Sequence, residues 1–461
     1  MSELHELLAS YGQEHLIKYW DELDTAAQLS LRNQIEEIDF EQLVDLAGKA
    51  DGDDHWAELA GRAEPPPAIR LDQQEPISRD QAVEIGEEFI SSGKVAAILV
   101  AGGQGTRLGF DAPKGMFPIG PLSGRTLFQI HFEKILALEK YYGAQIPLLV
   151  MTSPATHDAT VRYLEEHQNF GISPDNFQVF CQGTMPAVSM ESGKVLLESK
   201  DRIFTAPNGH GGTLQALHQN GCLDTLAQRG IEKLFYWQVD NPMVQVCDPL
   251  TLGYHLHTDT EFSLHACAKR DALHKVGNIV AIDGKTQIIE YSDLPETVAQ
   301  QTNSDGTLKL WAGSIAVHVF NLDFLKRMTD HAEALPFHVA RKKVPFVDES
   351  GNQVNPQEPN AFKFERFIFD LLPMAERALV VEVDPNDAFA PLKNASGAPS
   401  DTPETVQAAM MDQARRWLHS AEVKVDDQTK VEVSPLYALN ASELKDKVAD
   451  LSEVVDQRFF N

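Results

Sequence analysis

Between positions 102 and 114 the chain places four glycines (Gly102, Gly103, Gly105 and Gly109) around Arg107, and then closes the stretch with Pro113-Lys114. Glycines admit positive φ and let backbone N–H groups approach phosphate oxygens closely. Arginine and lysine add fixed positive charge. Together these residues suit the binding of a polyphosphate. Two familiar loops are excluded by spacing. The dinucleotide fingerprint needs G-x-G-x-x-G running into a helix, whereas Gly103, Gly105 and Gly109 give G-x-G-x-x-x-G and Pro113 interrupts the residues after them. The ATPase-type loop needs G-K-[ST], and Lys114 has proline before it and glycine after it.

Such residues need rigid elements behind them. The apolar run "VAAILVA" predicts a buried strand leading into the glycines, and "TLFQIHFEKILALEKYY" predicts the next helix. The alternation continues with strand "IPLLVMTS", helix "ATHDATVRYLEEHQ", strand "FQVFCQG", helices around "GGTLQALHQ" and strand "KLFYWQVD". Short apolar runs alternating with helices of about ten or more residues predict a mixed, mainly parallel sheet with helices on both faces. "GNIVAIDGKTQIIEYSD" predicts an inserted hairpin turning at Asp283-Gly284.

A helix from about Arg79 to Ser91 leads into the first strand. Leu7, Leu8, Tyr11, Leu16 and Tyr19 give amphipathic helices between Ser2 and about Gly48. "GRAEPPPAIRLDQQEP" reads as a linker or irregular arm. After about Asp412, helix "DQARRWLH" and the strand-like "AEVKVDD" and "KVEVSPL" predict a small module of hairpin and helix. The expected division is a helical arm and linker over 1–92, an α/β domain over 93–411 and a C-terminal module over 412–461.

The net charge is −29, from 39 basic and 68 acidic residues. This argues against broad binding to nucleic acid or an anionic membrane, both of which need basic surface. Cys181, Cys222, Cys247 and Cys267 are scattered, with no zinc spacing, and read as reduced thiols. The N-terminus lacks a signal-peptide core, and no apolar run approaches the roughly 20 residues of a membrane span. A cytoplasmic protein is expected.

The remaining phosphate loop, G-G-x-G-T-R-L with P-K some residues on, is that of nucleotidyltransferases, and residues 102–108 with Pro113-Lys114 match it throughout. With it come "PKGMFPIG", "TLFQI", "CQGTMPAV", "WQVDNPMVQVCDP", "IIEYSDL" and "FAPLKNASG", in order from about Ala96 to Met411. On these marks the chain resembles the UDP-sugar pyrophosphorylases, most closely the eukaryotic-type UDP-N-acetylglucosamine pyrophosphorylases. The resemblance implies a nucleotide-diphospho-sugar transferase-like fold and the reaction UTP + sugar 1-phosphate ⇌ UDP-sugar + pyrophosphate, with Mg²⁺ or Mn²⁺.

Carried over residue by residue, it implies that Gly102 and Gly103 back the uracil and ribose, Gln182 pairs with the uracil edge and Gly209 lies against the base. It implies that Asp240 holds the metal, that Gly277, Glu290 and Tyr291 touch the sugar, and that Lys393 reaches the phosphates, with Arg107 and Lys114 neutralising charge on them. Lys363 is a weaker candidate for a second phosphate contact. The residues themselves leave alternatives. Asp240 ends a buried strand, where ligands of open sheets collect, and is a hard ligand for Mg²⁺, but "DNP" also lets it cap a turn. Gln182 can donate and accept together or be a plain loop residue. Lys393, Glu290 and Tyr291 could face solvent.

The chain departs from the acetylglucosamine pattern near the sugar. His210 stands within "NGHGGTL", and Trp311 and Ser314 stand where asparagines are usual, with Trp311 able to fill the space of an acetamido methyl. N-acetylglucosamine 1-phosphate is the first expectation for the sugar, and glucose 1-phosphate or a broad range the alternative. An NAD-dependent oxidoreductase is opposed by the glycine spacing, and a catalytically inactive sensor by the intact Arg107, Lys114, Asp240 and Lys393. The oligomeric state stays open between monomer and weak dimer.

Overall fold

Val95–Val100 is an unbroken apolar run, and it forms a strand whose first five residues are fully buried, as expected of a parallel strand covered on both faces. It is β2 of a ten-stranded sheet. In chain order the strands are β1 (Ala68–Ile69), β2 (Val95–Val100), β3 (Leu148–Thr152), β4 (Phe177–Cys181), β5 (Lys233–Gln238), β6 (Phe262–Ala268), β7 (Asn278–Ile282), β8 (Lys285–Ile289), β9 (Ala312–Asn321) and β10 (Ala378–Glu382). Across the sheet they run β1-β10-β6-β9-β5-β2-β3-β4, with the β7–β8 hairpin attached to β9 through β7. Strand β9 is antiparallel to both its neighbours β5 and β6, and the other pairings along this path are parallel. Asp283 and Gly284 turn the hairpin with φ of 50° and 78°, the positive pair that a tight two-residue turn demands.

Helix α1 (Arg79–Ser91) starts on a capping box between Ser78 and Gln81. Helix α2 (Leu127–Tyr142) is capped by Thr126 and ended by Gly143 at φ 65°. Leu127, Phe128, Ile130, Phe132 and Ile135 of α2 join the strands in the main core.

The computed structural model describes residues 2–49, 55–73, 75–331 and 335–461. Contacts group the chain into two units that do not follow the linear segments expected from composition. The larger is Leu59–Cys181, Leu214–Ala332 and Leu371–Asn461; the smaller is Met1–Glu58, Gln182–Thr213 and Glu333–Asp370. The smaller unit gathers because Leu8, Leu31 and Ile35 of the N-terminal helices bury against Val188, Leu197, Phe362 and Phe364. Its three-stranded sheet pairs Ala361–Glu365 with His338–Lys342 on one side and Val188–Ser189 on the other.

Three expectations differ from the structure. The helix expected from Asp412 starts at Pro403, after the N-cap Thr402. The two strands after it form no hairpin with each other: Lys424–Val425 pairs in parallel with Glu453–Val454, and Val431–Val433 with Arg458–Phe460. Those pairings carry Val454 and Phe460 into one cluster with Leu418, Val423 and Val431. Part of the proline-rich arm is also regular, since Ala68–Ile69 is the edge strand β1; Gln74 of that arm lies outside the described residues. Among the described residues no helix is long and apolar enough to cross a membrane.

Candidate active site

Strands β2 and β5 are parallel neighbours, with Val100 opposite Gln238, so the residues after each emerge at the same edge of the sheet. The glycine loop leaves β2 and folds back on itself. Gly105 N–H donates to Ala112, Lys114 N–H donates to Gly103 at 3.0 Å, and Thr106–Leu108 makes a single 3₁₀ turn that ends at Gly109 with φ 69°. Ser153, just past β3, donates from Oγ to the Gly102 carbonyl at 2.7 Å and pins the start of the loop. A Cβ on Gly103 would meet nothing within 4 Å, so this glycine keeps space clear beside the loop and relieves no clash within the protein.

Asp240 stands two residues beyond β5. Lys114 Nζ lies 3.7 Å from its Oδ2 and donates to the Leu392 carbonyl at 3.2 Å. The Asp240 carbonyl accepts from Leu392 N–H at 2.8 Å, so the residue before Lys393 is tied to both Lys114 and Asp240. Asn241 completes this tie through its amide, which donates to Ala388 and accepts from Ala390 N–H. The Lys393 backbone N–H donates to Asp401, and its Nζ lies 5.9 Å from the centre of the Phe389 ring. Asp240 caps no helix here; its carboxylate faces an ammonium ion. Among the described residues no three His, Cys, Asp or Glu side chains gather as a self-sufficient metal cage. A single partly buried carboxylate fits Mg²⁺, which commonly takes one or two carboxylates and completes its shell from substrate phosphates. Arg107 is exposed in the loop and turns to no acceptor among the described residues.

A second cluster lies on the hairpin and on β9. Ser314 N–H donates to the Gly277 carbonyl at 2.8 Å. A Cβ on Gly277 would come within 2.8 Å of Ile288 and 3.0 Å of Glu290 Oε1, so the missing side chain is what lets the Glu290 carboxylate approach the backbone. Tyr291 is 49% exposed. The Arg70 guanidinium covers one face of the Trp311 ring at 3.7 Å, while Arg70 Nε bonds Glu382.

The remaining candidates belong to the smaller unit. Thr184–Pro186 pairs with Thr205–Pro207, which sets Gln182 and Gly209 just beyond the same end of a two-stranded ribbon. Gly209 has φ 81°, and a Cβ there would strike the Arg366 carbonyl at 2.4 Å, so close backbone approach requires glycine. The His210 ring stacks on Phe367 at 5.0 Å, and its Nδ1 accepts from Ile368 N–H. Burial, with His338 adding to it, lowers the His210 pKa to about 3, so the ring is neutral and carries its proton on Nε2. Lys363 does not join this group: its Nζ lies 5.0 Å from the centre of the Phe204 ring, and burial lowers its pKa.

Sequence reasoning missed Asn241, Ser153 and the Leu392 backbone. Asn241 had a signal in "DNP", where an amide beside the acid can bind backbone on both sides. Ser153 and Leu392 had none, because their partners are remote in the chain.

A family model described as UTP--glucose-1-phosphate uridylyltransferase matches residues 40–457. Human UDP-N-acetylhexosamine pyrophosphorylase-like protein 1 is 38% identical over 421 residues, 88% of this chain and 83% of that protein. The UDP-N-acetylglucosamine pyrophosphorylase of Saccharomyces cerevisiae is 34% identical over 476 residues, 99% of each chain. Among solved structures, the uridine diphosphate N-acetylglucosamine pyrophosphorylase of Trypanosoma brucei, in complex with an inhibitor, has a TM-score of 0.84 at 26% identity and covers 98% of this chain and 97% of its own. The UDP-glucose phosphorylase of the same organism shares the fold, with a TM-score of 0.63 at 16% identity over 93% of this chain and 90% of its own.

Proposed function

The chain belongs to the UTP–glucose-1-phosphate uridylyltransferase family, and from that premise we propose that it makes a UDP-sugar and pyrophosphate from UTP and a sugar 1-phosphate, N-acetylglucosamine 1-phosphate first. The observation that carries this reading is the meeting of Lys114, Asp240 and the Leu392-Lys393 backbone at the carboxyl ends of β2 and β5. That is where a polyphosphate is met by glycine-loop N–H groups, by cations and by a carboxylate able to hold a divalent ion.

In the proposed reaction a phosphate oxygen of the sugar 1-phosphate attacks the α-phosphorus of UTP in line. The new P–O bond forms as the α–β bridge breaks, and the electron pair leaves with pyrophosphate. The attacking oxygen is already anionic, so no general base is needed, and positioning supplies much of the rate. Lys114 and Arg107 neutralise charge on the α-phosphate and the leaving group, and Lys393 steadies the attacking phosphate. Mg²⁺ or Mn²⁺, held by Asp240 and phosphate oxygens, would add charge neutralisation at the same place. In the larger unit Gly102 and Gly103 are assigned to the uridine and Gly277, Glu290, Tyr291 and Ser314 to the sugar; in the smaller, Gln182 and Gly209 are assigned to the uracil and His210 to the sugar, each as the family resemblance implies. We place the enzyme in the cytoplasm, in keeping with four cysteines that form no disulfide.

Ser314 and His210 at the sugar positions favour a second reading, in which glucose 1-phosphate is used nearly as well. A pyrophosphate-release screen of UTP against a panel of sugar 1-phosphates, with and without chelator, tests both. Metal-dependent release with N-acetylglucosamine 1-phosphate supports the first reading, and comparable rates with glucose 1-phosphate support the second. Silence with every sugar overturns both.

A further inference from the structure

His131 lies fully buried on α2 with both ring nitrogens engaged. The indole N–H of Trp237 donates to Nδ1 at 3.1 Å, and Nε2 lies 3.0 Å from the Val239 carbonyl oxygen. An indole nitrogen can only donate. Nδ1 is therefore the acceptor, the ring proton sits on Nε2, and that N–H donates to Val239. Burial keeps the ring neutral, with a pKa of about 3. One helical turn on, Lys134 Nζ donates to the carbonyls of Pro242 and Val244, the latter at 2.7 Å. Val239 immediately precedes Asp240 and Pro242 comes two residues after it, so α2 grips the backbone on both sides of the carboxylate.

The loop is itself well packed, with Met243, Val244 and Val246 buried and Val244 and Val246 part of the main core. Pro242, Met243, Val244, Gln245 and Val246 line a cavity of ≈ 210 Å³ together with Lys134. Beyond that packing, the bonds from His131 and Lys134 fix the direction of three of the loop's carbonyls, those of Val239, Pro242 and Val244. The neutral amine and the ammonium form of lysine both have N–H groups enough for two carbonyls.

We propose that His131 and Lys134 are positioning residues for the metal-binding loop, acting through the carbonyls of Val239, Pro242 and Val244 to aim the Asp240 carboxylate. This rests on the reading of Asp240 as the ligand of the divalent cation. Groups that orient a ligand from behind typically change metal affinity by roughly 10–100-fold when removed, and an ordinary buried anchor changes stability alone.

The test is Mn²⁺ binding to the full-length enzyme in the presence of UTP, monitored by electron paramagnetic resonance and paired with thermal melting. Lys134→Met and His131→Leu are expected to weaken Mn²⁺ roughly tenfold or more, with part of the lost turnover regained at high Mn²⁺. His131→Gln retains an N–H for Val239 and should recover most of the affinity. Ile135→Ala, a core truncation on the same helix, should lower the melting temperature with Mn²⁺ affinity unchanged. If Lys134→Met and His131→Leu melt early yet bind Mn²⁺ as the wild type does, while Asp240→Asn does not, the positioning role is overturned and the ligand role of Asp240 stands. Wild-type affinity in Asp240→Asn as well overturns both. Should His131→Leu fail to fold, Trp237→Phe removes only the donor to Nδ1, and a smaller loss of the same sign is required of it.

Discussion

Lys114→Met removes one charge while roughly keeping the shape of the side chain, and its consequences separate two roles. Lys114 Nζ sits 3.7 Å from Asp240 Oδ2, and the two side chains are only 17% and 13% exposed. At an effective dielectric of about 20, unit charges at this distance attract by about 4 kcal/mol, and desolvation of both groups offsets much of that. The variant leaves a shielded carboxylate without its partner, for which roughly 2 kcal/mol of lost stability is expected. Turnover should fall more steeply, by about 10²–10³, the scale for losing one charge contact to a transition state. The response to metal should change in the opposite direction: with the ammonium gone, a cation can take its place beside Asp240. Mg²⁺ should therefore raise the melting temperature of Lys114→Met more than that of the wild type, by the usual linkage between binding and folding. The assays are pyrophosphate release at saturating UTP and sugar 1-phosphate, and thermal melting with and without Mg²⁺. A kcat within about threefold of wild type would refute the catalytic role and leave Lys114 as a neutraliser of Asp240. An identical Mg²⁺ response in the two proteins would refute the competition argument.

The same geometry makes further outcomes testable. Gly103→Ala should fold normally, since its Cβ meets nothing, yet raise the KM for UTP by about tenfold or more if the base lies there; an unchanged KM removes Gly103 from the site. Gly115→Ala is expected to cost about 1–3 kcal/mol of stability, because its Cβ would lie 2.3 Å from the buried Phe128 ring, and an unshifted melting curve contradicts this. Ser314→Asn combined with His210→Asn should move the kcat/KM ratio toward N-acetylglucosamine 1-phosphate over glucose 1-phosphate by roughly tenfold, the worth of one pairing for a buried amide. The melting temperature should drop as the stack on Phe367 is lost, and an unmoved ratio shows that neither residue serves the sugar. Burial lowers the Lys134 pKa to about 7, so above that pH the unfolded chain holds a proton that the folded chain has released. Stability from this group therefore rises with pH toward the ordinary lysine value, and Lys134→Met should flatten the rise in melting temperature between about pH 7 and 10. Parallel curves for variant and wild type would rule this out.

The glycine loop, helix Arg79–Ser91, the strand Val95–Val100 and the Asp283-Gly284 turn were legible from residue order alone. Each is set by local chemistry: glycine spacing, apolar periodicity, a cap and a positive-φ pair. The reaction class was legible for the same reason, because the motif residues carry their chemistry with them wherever they fold. Tertiary structure alone decided which of them meet. Lys114 reaches Asp240 because β2 and β5, remote in the chain, pair in parallel. The smaller unit is drawn from three separate segments by a shared core, and the tail forms no hairpin because the last residues of the chain supply its strand partners. That the Arg70 guanidinium lies over one face of the Trp311 ring was likewise settled only by the fold. His131 looks in sequence like one more residue on the buried face of a helix. Its tautomer and its hold on Val239 exist only once Trp237 is placed beside it, because hydrogen bonds between remote residues leave no periodic trace in the chain.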